Sequence, residues 1–221
     1  MKKFKGLFLI LFMTVLFVQA GQRQSLYDFL PQGYLVFEKI YGDLNDDGMD
    51  DCVLIIKGTD KSKIVHDKYR GKLDLNRRGI IVLIYKKDHY ELALRNEDCF
   101  SSESEDGGAY FAPELTVNIK KENLNINYSH GRYGYWTYVF RFQDSDLKLI
   151  GYDKSINNGP IVNKEISINF LTKKKIVKEN TNENSQGEDE VFHITKSKIS
   201  TKELIKLSDI IDFDKLRISE E

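Results

Sequence analysis

Apolar and polar residues alternate along much of this chain, as they do in β-strands that bury one face. The clearest examples are Leu115 to Ile119 and Leu124 to Tyr128, with turn residues at 121–123 between them. The same alternation returns at 90–94, 147–152, 166–170 and 191–199. These segments predict antiparallel strands joined by hairpins.

Two further segments, 52–56 and 80–85, are uncharged and almost wholly apolar. Short runs of this kind are typical of strands that are covered on both faces. The stretch between them, 58–78, is polar and charged, and it predicts a long exposed loop. Outside the strands, Ser25 to Leu30 predicts one helical turn, and Ser200 or Thr201 is placed to cap a short helix through Leu207.

With 34–41, 135–142 and 176–177, the pattern makes about eleven strands. We therefore predict an all-β fold: an antiparallel meander, sandwich or curved open sheet with minor short helices. Composition agrees, because four Ala against 12 Tyr and 13 Phe favours strands over helices. A partial propeller is the alternative, since the strands group loosely in fours but are too few to close the ring.

The N-terminus has the three-part layout of a secretory signal peptide. Three lysines precede the apolar run 7–18, and Val18-Gln19-Ala20 provides a cleavage pattern of small residues. The run is too short to span a bilayer, which needs about 20 apolar residues. We therefore expect residues 1–20 to be removed, and 21–221 to form a single exported domain, periplasmic or secreted, without a membrane span. Within it, we expect a flexible loop near 180–190 and a loose acidic C-terminus.

Charge excludes one class of function. The full chain carries −1, and removal of the leader leaves 30 basic against 34 acidic side chains, a net −4. A nucleic-acid-binding domain would normally carry a basic face and a high pI, so no nucleic-acid partner is expected.

The acidic loop 43–51 holds the strongest chemical motif. Oxygen-bearing side chains recur at alternate positions, with Gly48 where a sharp turn is needed and the Met49 carbonyl one residue later. Alternating oxygen ligands on a tight loop suit Ca²⁺, and five crowded Asp side chains repel one another unless a cation compensates. An EF-hand does not fit, because Leu54 stands where a bidentate Glu is required. The alternative is a solvated Asp/Asn/Gly turn. The predicted calcium ligands are Asp43, Asn45, Asp47, Met49 and Asp51.

The segment from Gly42 to Leu54, G-D-L-N-D-D-G-M-D-D-C-V-L, resembles the calcium loop of FG-GAP (integrin-propeller-type) repeats. That resemblance implies that Asp43, Asn45, Asp47 and Asp51 contact calcium. Over a longer span, the chain resembles uncharacterised exported bacterial proteins that carry a single such loop. The shared features are the lead 26–34, a Gly-Gly loop at 107–108 and Leu149-Ile150-Gly151-Tyr152. This second resemblance implies an exported all-β protein and no particular activity.

A second candidate site is the aromatic turn, His130 with Arg132, Tyr133, Tyr135 and Trp136, which has the composition of a platform for sugars or peptides. The alternative is a plain turn that leads into core aromatics. Cys52 and Cys99 either pair, as an exported location permits, or remain separate buried thiols.

Two main hypotheses for function follow. The first is a calcium-stabilised, non-enzymatic domain that binds a protein or glycan at the cell envelope. The second is an exported hydrolase that acts on polysaccharide or peptide, with its site around His130, Arg132 and Trp136. A third option, an inhibitor or immunity-type protein, is permitted by size and charge alone.

Overall fold

The computed structural model describes residues 25–104 and 113–218. The predicted signal peptide and the Gly107-Gly108 loop lie outside these residues. The described part contains thirteen strands. They are β1 (Tyr34–Gly42), β2 (Asp51–Gly58), β3 (Ile64–Asp67), β4 (Gly71–Asp74), β5 (Arg78–Lys86), β6 (His89–Phe100), β7 (Glu114–Lys120), β8 (Asn123–Ser129), β9 (Gly134–Gln143), β10 (Asp146–Asn158), β11 (Ile161–Asn169), β12 (Lys174–Asn180) and β13 (Phe192–Lys198).

All sheet pairings are antiparallel, which confirms the predicted all-β class. A four-stranded sheet has the order β1-β2-β5-β6, and a seven-stranded sheet has the order β13-β12-β11-β10-β9-β8-β7. The eleven predicted strands are all present. The remaining two, β3 and β4, form a hairpin within 58–78, where the sequence predicts only a loop. Its strands were missed because they lack a regular apolar face.

The main core combines one face of each large sheet. Val53, Ile55 and Val82 of the four-stranded sheet belong to the same buried cluster as Phe140 and Ile168 of the seven-stranded sheet. On its opposite face, the four-stranded sheet forms a second cluster with the N-terminal 3₁₀ turn Leu26–Phe29. The continuous apolar runs of β2 and β5 are therefore buried on both faces, as their pattern predicts.

Up to residue 218, where the described part ends, the C-terminal segment packs into the main core, and the short helix predicted through Leu207 does not form. Leu207, Phe213 and Ile218 are buried, and Phe213 stacks on Phe100 with ring centroids 5.0 Å apart. Arg77 and Asp212 form an ion pair of 2.9 Å beside it. Among the described residues after β13, only single 3₁₀ turns form, Leu207–Asp209 and Phe213–Lys215. This packing could not be predicted from the sequence, because the segment is acidic and its buried apolar residues are widely spaced.

Segment 180–190, predicted to be flexible, is an internally hydrogen-bonded turn. Its Asp189 carboxylate accepts from the Ser185 hydroxyl at 2.6 Å and from the Gln186 N–H at 2.9 Å. Among the described residues, no helix is long and apolar enough to cross a membrane.

Candidate functional site

The acidic loop folds around the side chain of Asp43, at the end of β1. One Asp43 oxygen accepts from the Gly48 N–H at 2.8 Å, and the other accepts from the N–H groups of Asn45 and Asp47 at 3.2 and 3.3 Å. Partial burial acts to raise the pKa of Asp43, but the loop N–H donors outweigh it and hold this pKa below its ordinary value. The first predicted ligand is therefore an ionised carboxylate at the centre of the loop.

Backbone conformation explains why Gly48 stands at the tip. Gly48 has φ +81°, a left-handed conformation that most side chains disfavour. Asp46, at φ 59°, shares that region, which Asp tolerates better than most residues. Gly42, just before the loop, is required for a different reason: a Cβ there would lie 2.9 Å from Ile119 of β7. The loop therefore begins where the two large sheets approach closely.

Asp51 closes the loop from the start of β2 and is completely buried. Its carboxylate accepts from the Leu44 N–H at 2.8 Å and from the Tyr85 N–H of β5 at 2.9 Å. Burial raises the pKa of Asp51 above its ordinary value; these two N–H donors oppose the rise, and the negative charges of Asp47 and Asp43 add to it. Asp51 thus connects the loop to the central strands through hydrogen bonds, although burial and the nearby negative charges disfavour its ionised form.

The donor chemistry of the loop fits calcium. Among the described residues, no group of three or more His, Cys, Asp or Glu side chains stands ready to hold a metal ion. Asp43, Asp47 and Asp51 therefore do not already converge as a three-carboxylate group in this structure, and the predicted set also needs the Asn45 amide and the Met49 carbonyl. Each carboxylate oxygen has more than one lone pair, so an N–H bond and a metal bond are compatible. The all-oxygen set suits a hard cation and does not suit zinc.

The aromatic turn divides its residues between two faces. Trp136 of β9 stacks on the buried Tyr128 with ring centroids 5.3 Å apart, and it packs against the main core. Tyr135 lies on the outer face of the seven-stranded sheet and is exposed. His130 and Tyr133 are in ring contact at 5.2 Å across a 3₁₀ turn, Gly131–Tyr133, that also carries the exposed Arg132. The five predicted residues therefore do not form one continuous platform, because neighbouring strand residues point to opposite faces.

Tyr135 instead borders a shallow depression of about 220 Å³ on the outer face of this sheet. Its charged lining includes an ion pair of 2.9 Å between Lys178 and Glu165, with Asp153 on the neighbouring strand. Burial raises the pKa of Tyr135, and the nearby carboxylates of Glu165 and Asp153 raise it further. The depression was not predicted from the sequence, because its lining residues come from four strands and no local motif indicates it.

Both cysteines are free, buried thiols. Cys52 belongs to the cluster beneath the N-terminal turn, and Cys99 belongs to the main core. Of the two alternatives open from the sequence, the structure has the separate thiols.

Comparison of this chain with protein-family models, with curated proteins and with solved structures finds no match. The resemblance of loop 43–51 to FG-GAP repeats stays a prediction.

Proposed function

We propose that this chain is an exported β-domain that binds a structural calcium ion in loop 43–51 and acts at the cell envelope as a non-enzymatic binding protein. One observation carries the calcium proposal. Burial raises the pKa of the Asp51 carboxylate, which is fully buried, and the negative charges of Asp47 and Asp43 add to that rise. No basic side chain pairs with Asp51 in the described part of the chain. A divalent cation would offset this repulsion.

The proposed ligands are the side chains of Asp43, Asn45, Asp47 and Asp51 with the carbonyl of Met49. When bound, calcium would offset two of the five negative charges of the loop and hold β1 and β2 in register. Because the unfolded chain would not present these ligands together, calcium would bind the native state and stabilise it. At a concentration of about 100 times the dissociation constant, the gain is about 2.7 kcal/mol.

The proposed binding role is supported by the outer face of the seven-stranded sheet. Along β7, β8 and β9 this face carries amide and hydroxyl side chains, and Asn127 donates to Thr137 at 2.7 Å across two strands. Tyr135 adds an aromatic ring beside the depression described above. Polar side chains around an exposed ring suit a glycan or a polar protein surface.

Thermal unfolding with and without calcium tests the metal proposal. We expect calcium to raise the midpoint of the parent chain by about 5–10 °C, as the binding energy above implies for a chain of this size. The double variant Asp43→Asn/Asp47→Asn should lose most of that shift. The matched variant Asp46→Asn/Asp50→Asn removes the same charge from non-ligand positions and should retain it. Equal shifts in both variants, or none in the parent, would overturn the proposal.

The pH dependence gives an independent test. Since the folded-state pKa of Asp51 is raised, its contribution to stability in calcium-free protein is fully present below the unfolded-state pKa and is lost as the pH rises through the folded-state value. Calcium binds the ionised carboxylate and reverses this loss. The calcium-induced shift in melting midpoint should therefore be larger at pH 7 than at pH 5. A shift that grows on acidification would contradict the assignment of Asp51.

A further inference from the structure

The β3–β4 hairpin concentrates positive charge in an otherwise acidic chain. Residues 60–74, the hairpin with the turn that leads into it, contain five Lys or Arg side chains and three acids, so the segment carries +2 while the whole chain carries −1. The basic residues are Lys61, Lys63, Lys68, Arg70 and Lys72. All except Lys63 are exposed, and Lys63 is half-buried. Charge is thus separated between this hairpin and the acidic loop, which carries five Asp and no basic residue.

The three acids of this segment, Asp60, Asp67 and Asp74, are held by local contacts. Asp67 is occupied by the turn. Its Oδ1 accepts from the N–H groups of Tyr69 and Arg70, both at 2.8 Å. These two donors hold the pKa of Asp67 below its ordinary value. The carboxylate therefore shapes the tip while the basic side chains around it remain exposed.

The hairpin also exposes apolar surface beside its charges. Tyr69, at the tip, is 86% exposed, and Ile64 and Val65 of β3 are 40% and 38% exposed. The Lys68 ammonium lies 5.4 Å from the centre of the Tyr69 ring. An amphipathic aromatic ring among cations is the combination found where proteins meet the headgroup region of a bilayer.

The base of the hairpin is held firmly. The buried Asn76 accepts from the Asp60 N–H at 2.9 Å and donates to the Asp60 carbonyl at 3.0 Å. The Leu75 N–H donates to the Lys63 carbonyl at 2.9 Å. Because an isolated two-stranded hairpin is only marginally stable in water, these contacts are what present the basic tip as an ordered arm.

We propose that the β3–β4 hairpin is a docking surface for an anionic phospholipid bilayer. Its cations lie in the turn before β3, at the tip and on β4, and this spread matches a broad negative surface better than a single phosphate group. The exposed Tyr69 distinguishes a bilayer from a soluble polyanion, since only the bilayer offers an apolar layer beneath its charge. Each basic residue near such a surface strengthens binding about fivefold.

Vesicle co-sedimentation in calcium-free buffer tests this proposal, using anionic phosphatidylglycerol vesicles and zwitterionic phosphatidylcholine vesicles. Zwitterionic vesicles measure binding that does not depend on charge. Any contribution of the leader and its three lysines is the same in the parent chain and in every variant, so the loss relative to the parent chain is the readout. We expect Lys68→Gln/Lys72→Gln to lower anionic binding about tenfold or more. The control Lys173→Gln/Lys174→Gln removes two exposed charges from another hairpin and should change binding less than about twofold.

Tyr69→Ser separates the bilayer from a soluble polyanion. We expect it to weaken vesicle binding and to leave binding to dextran sulfate unchanged, with thermal melting confirming that every variant is folded. Equal losses in the two lysine variants would overturn the proposal, as would equal binding to both vesicle types. No effect of Tyr69→Ser on vesicle binding would assign the hairpin to a soluble polyanion instead. Because calcium is absent throughout, these outcomes do not depend on loop 43–51.

Discussion

The two large sheets use their faces differently. In the four-stranded sheet, β2 and β5 are buried along almost their whole length, by the main core on one side and the N-terminal turn on the other. In the seven-stranded sheet, one face joins the core and the other faces outward, and every residue of the edge strand β13 except Phe192 is exposed. Stability should therefore concentrate in the smaller sheet, while the larger sheet supplies surface area for binding.

The C-terminal segment joins the two sheets and predicts the largest effect of a single substitution. Phe213 stacks on Phe100 of β6 and meets Tyr138 of β9 edge-on, with ring centroids 5.1 Å apart. Removing its ring leaves a cavity where both sheets contribute side chains. We expect Phe213→Ala to lower the free energy of unfolding by about 3–5 kcal/mol, as measured by denaturant unfolding.

A neighbouring residue provides the control. Ile211 is 88% exposed, so Ile211→Ala should change the free energy of unfolding by no more than about 0.5 kcal/mol. If both variants lost the same free energy of unfolding, Phe213 would not be packed between the sheets.

The contrast between the sheets can be tested directly with two aliphatic truncations. Leu54 of β2 is completely buried in the cluster beneath the N-terminal turn, whereas Ile194 of β13 is 51% exposed. We expect Leu54→Ala to cost about 2–5 kcal/mol in denaturant unfolding, and Ile194→Ala to cost less than about 1 kcal/mol. Similar losses in the free energy of unfolding at the two positions would mean that the edge of the larger sheet contributes as much to stability as the buried strand β2.

The strands were predictable because burial imposes a period on the sequence. Where one face is buried, as in β7 and β8, apolar residues alternate, and where both are buried, as in β2 and β5, they run continuously. β3 and β4 were not predicted, because their hairpin buries little more than Leu73 and its sequence therefore shows no alternation of apolar residues. The burial of Phe213 was not predicted for a related reason, because it lies in irregular backbone, where buried residues follow no repeating pattern in the sequence.

The candidate site was predictable to the extent that its chemistry is local. The spacing of Asp43, Gly48 and Asp51 indicates the loop, because a tight turn needs these residue types within a short span of the sequence. The burial of Asp51 against the Tyr85 N–H was not predictable, since it depends on pairing between β2 and β5. The depression beside Tyr135 was missed for the same reason, as its lining exists only after several strands have paired.

The smallest expected effect concerns the two thiols on opposite sides of the four-stranded sheet. Burial raises the pKa of Cys52 to about 11, and burial also raises the pKa of Cys99 well above its usual range. Since the thiolate is the reactive form, neither should react with a thiol reagent in folded protein at pH 8. In denaturant, without reductant, two thiols per chain should react, and Cys52→Ala or Cys99→Ala should leave one. A denatured chain that released no thiol until reduced would show a Cys52–Cys99 bridge, which the placement of these residues in two separate core clusters does not allow.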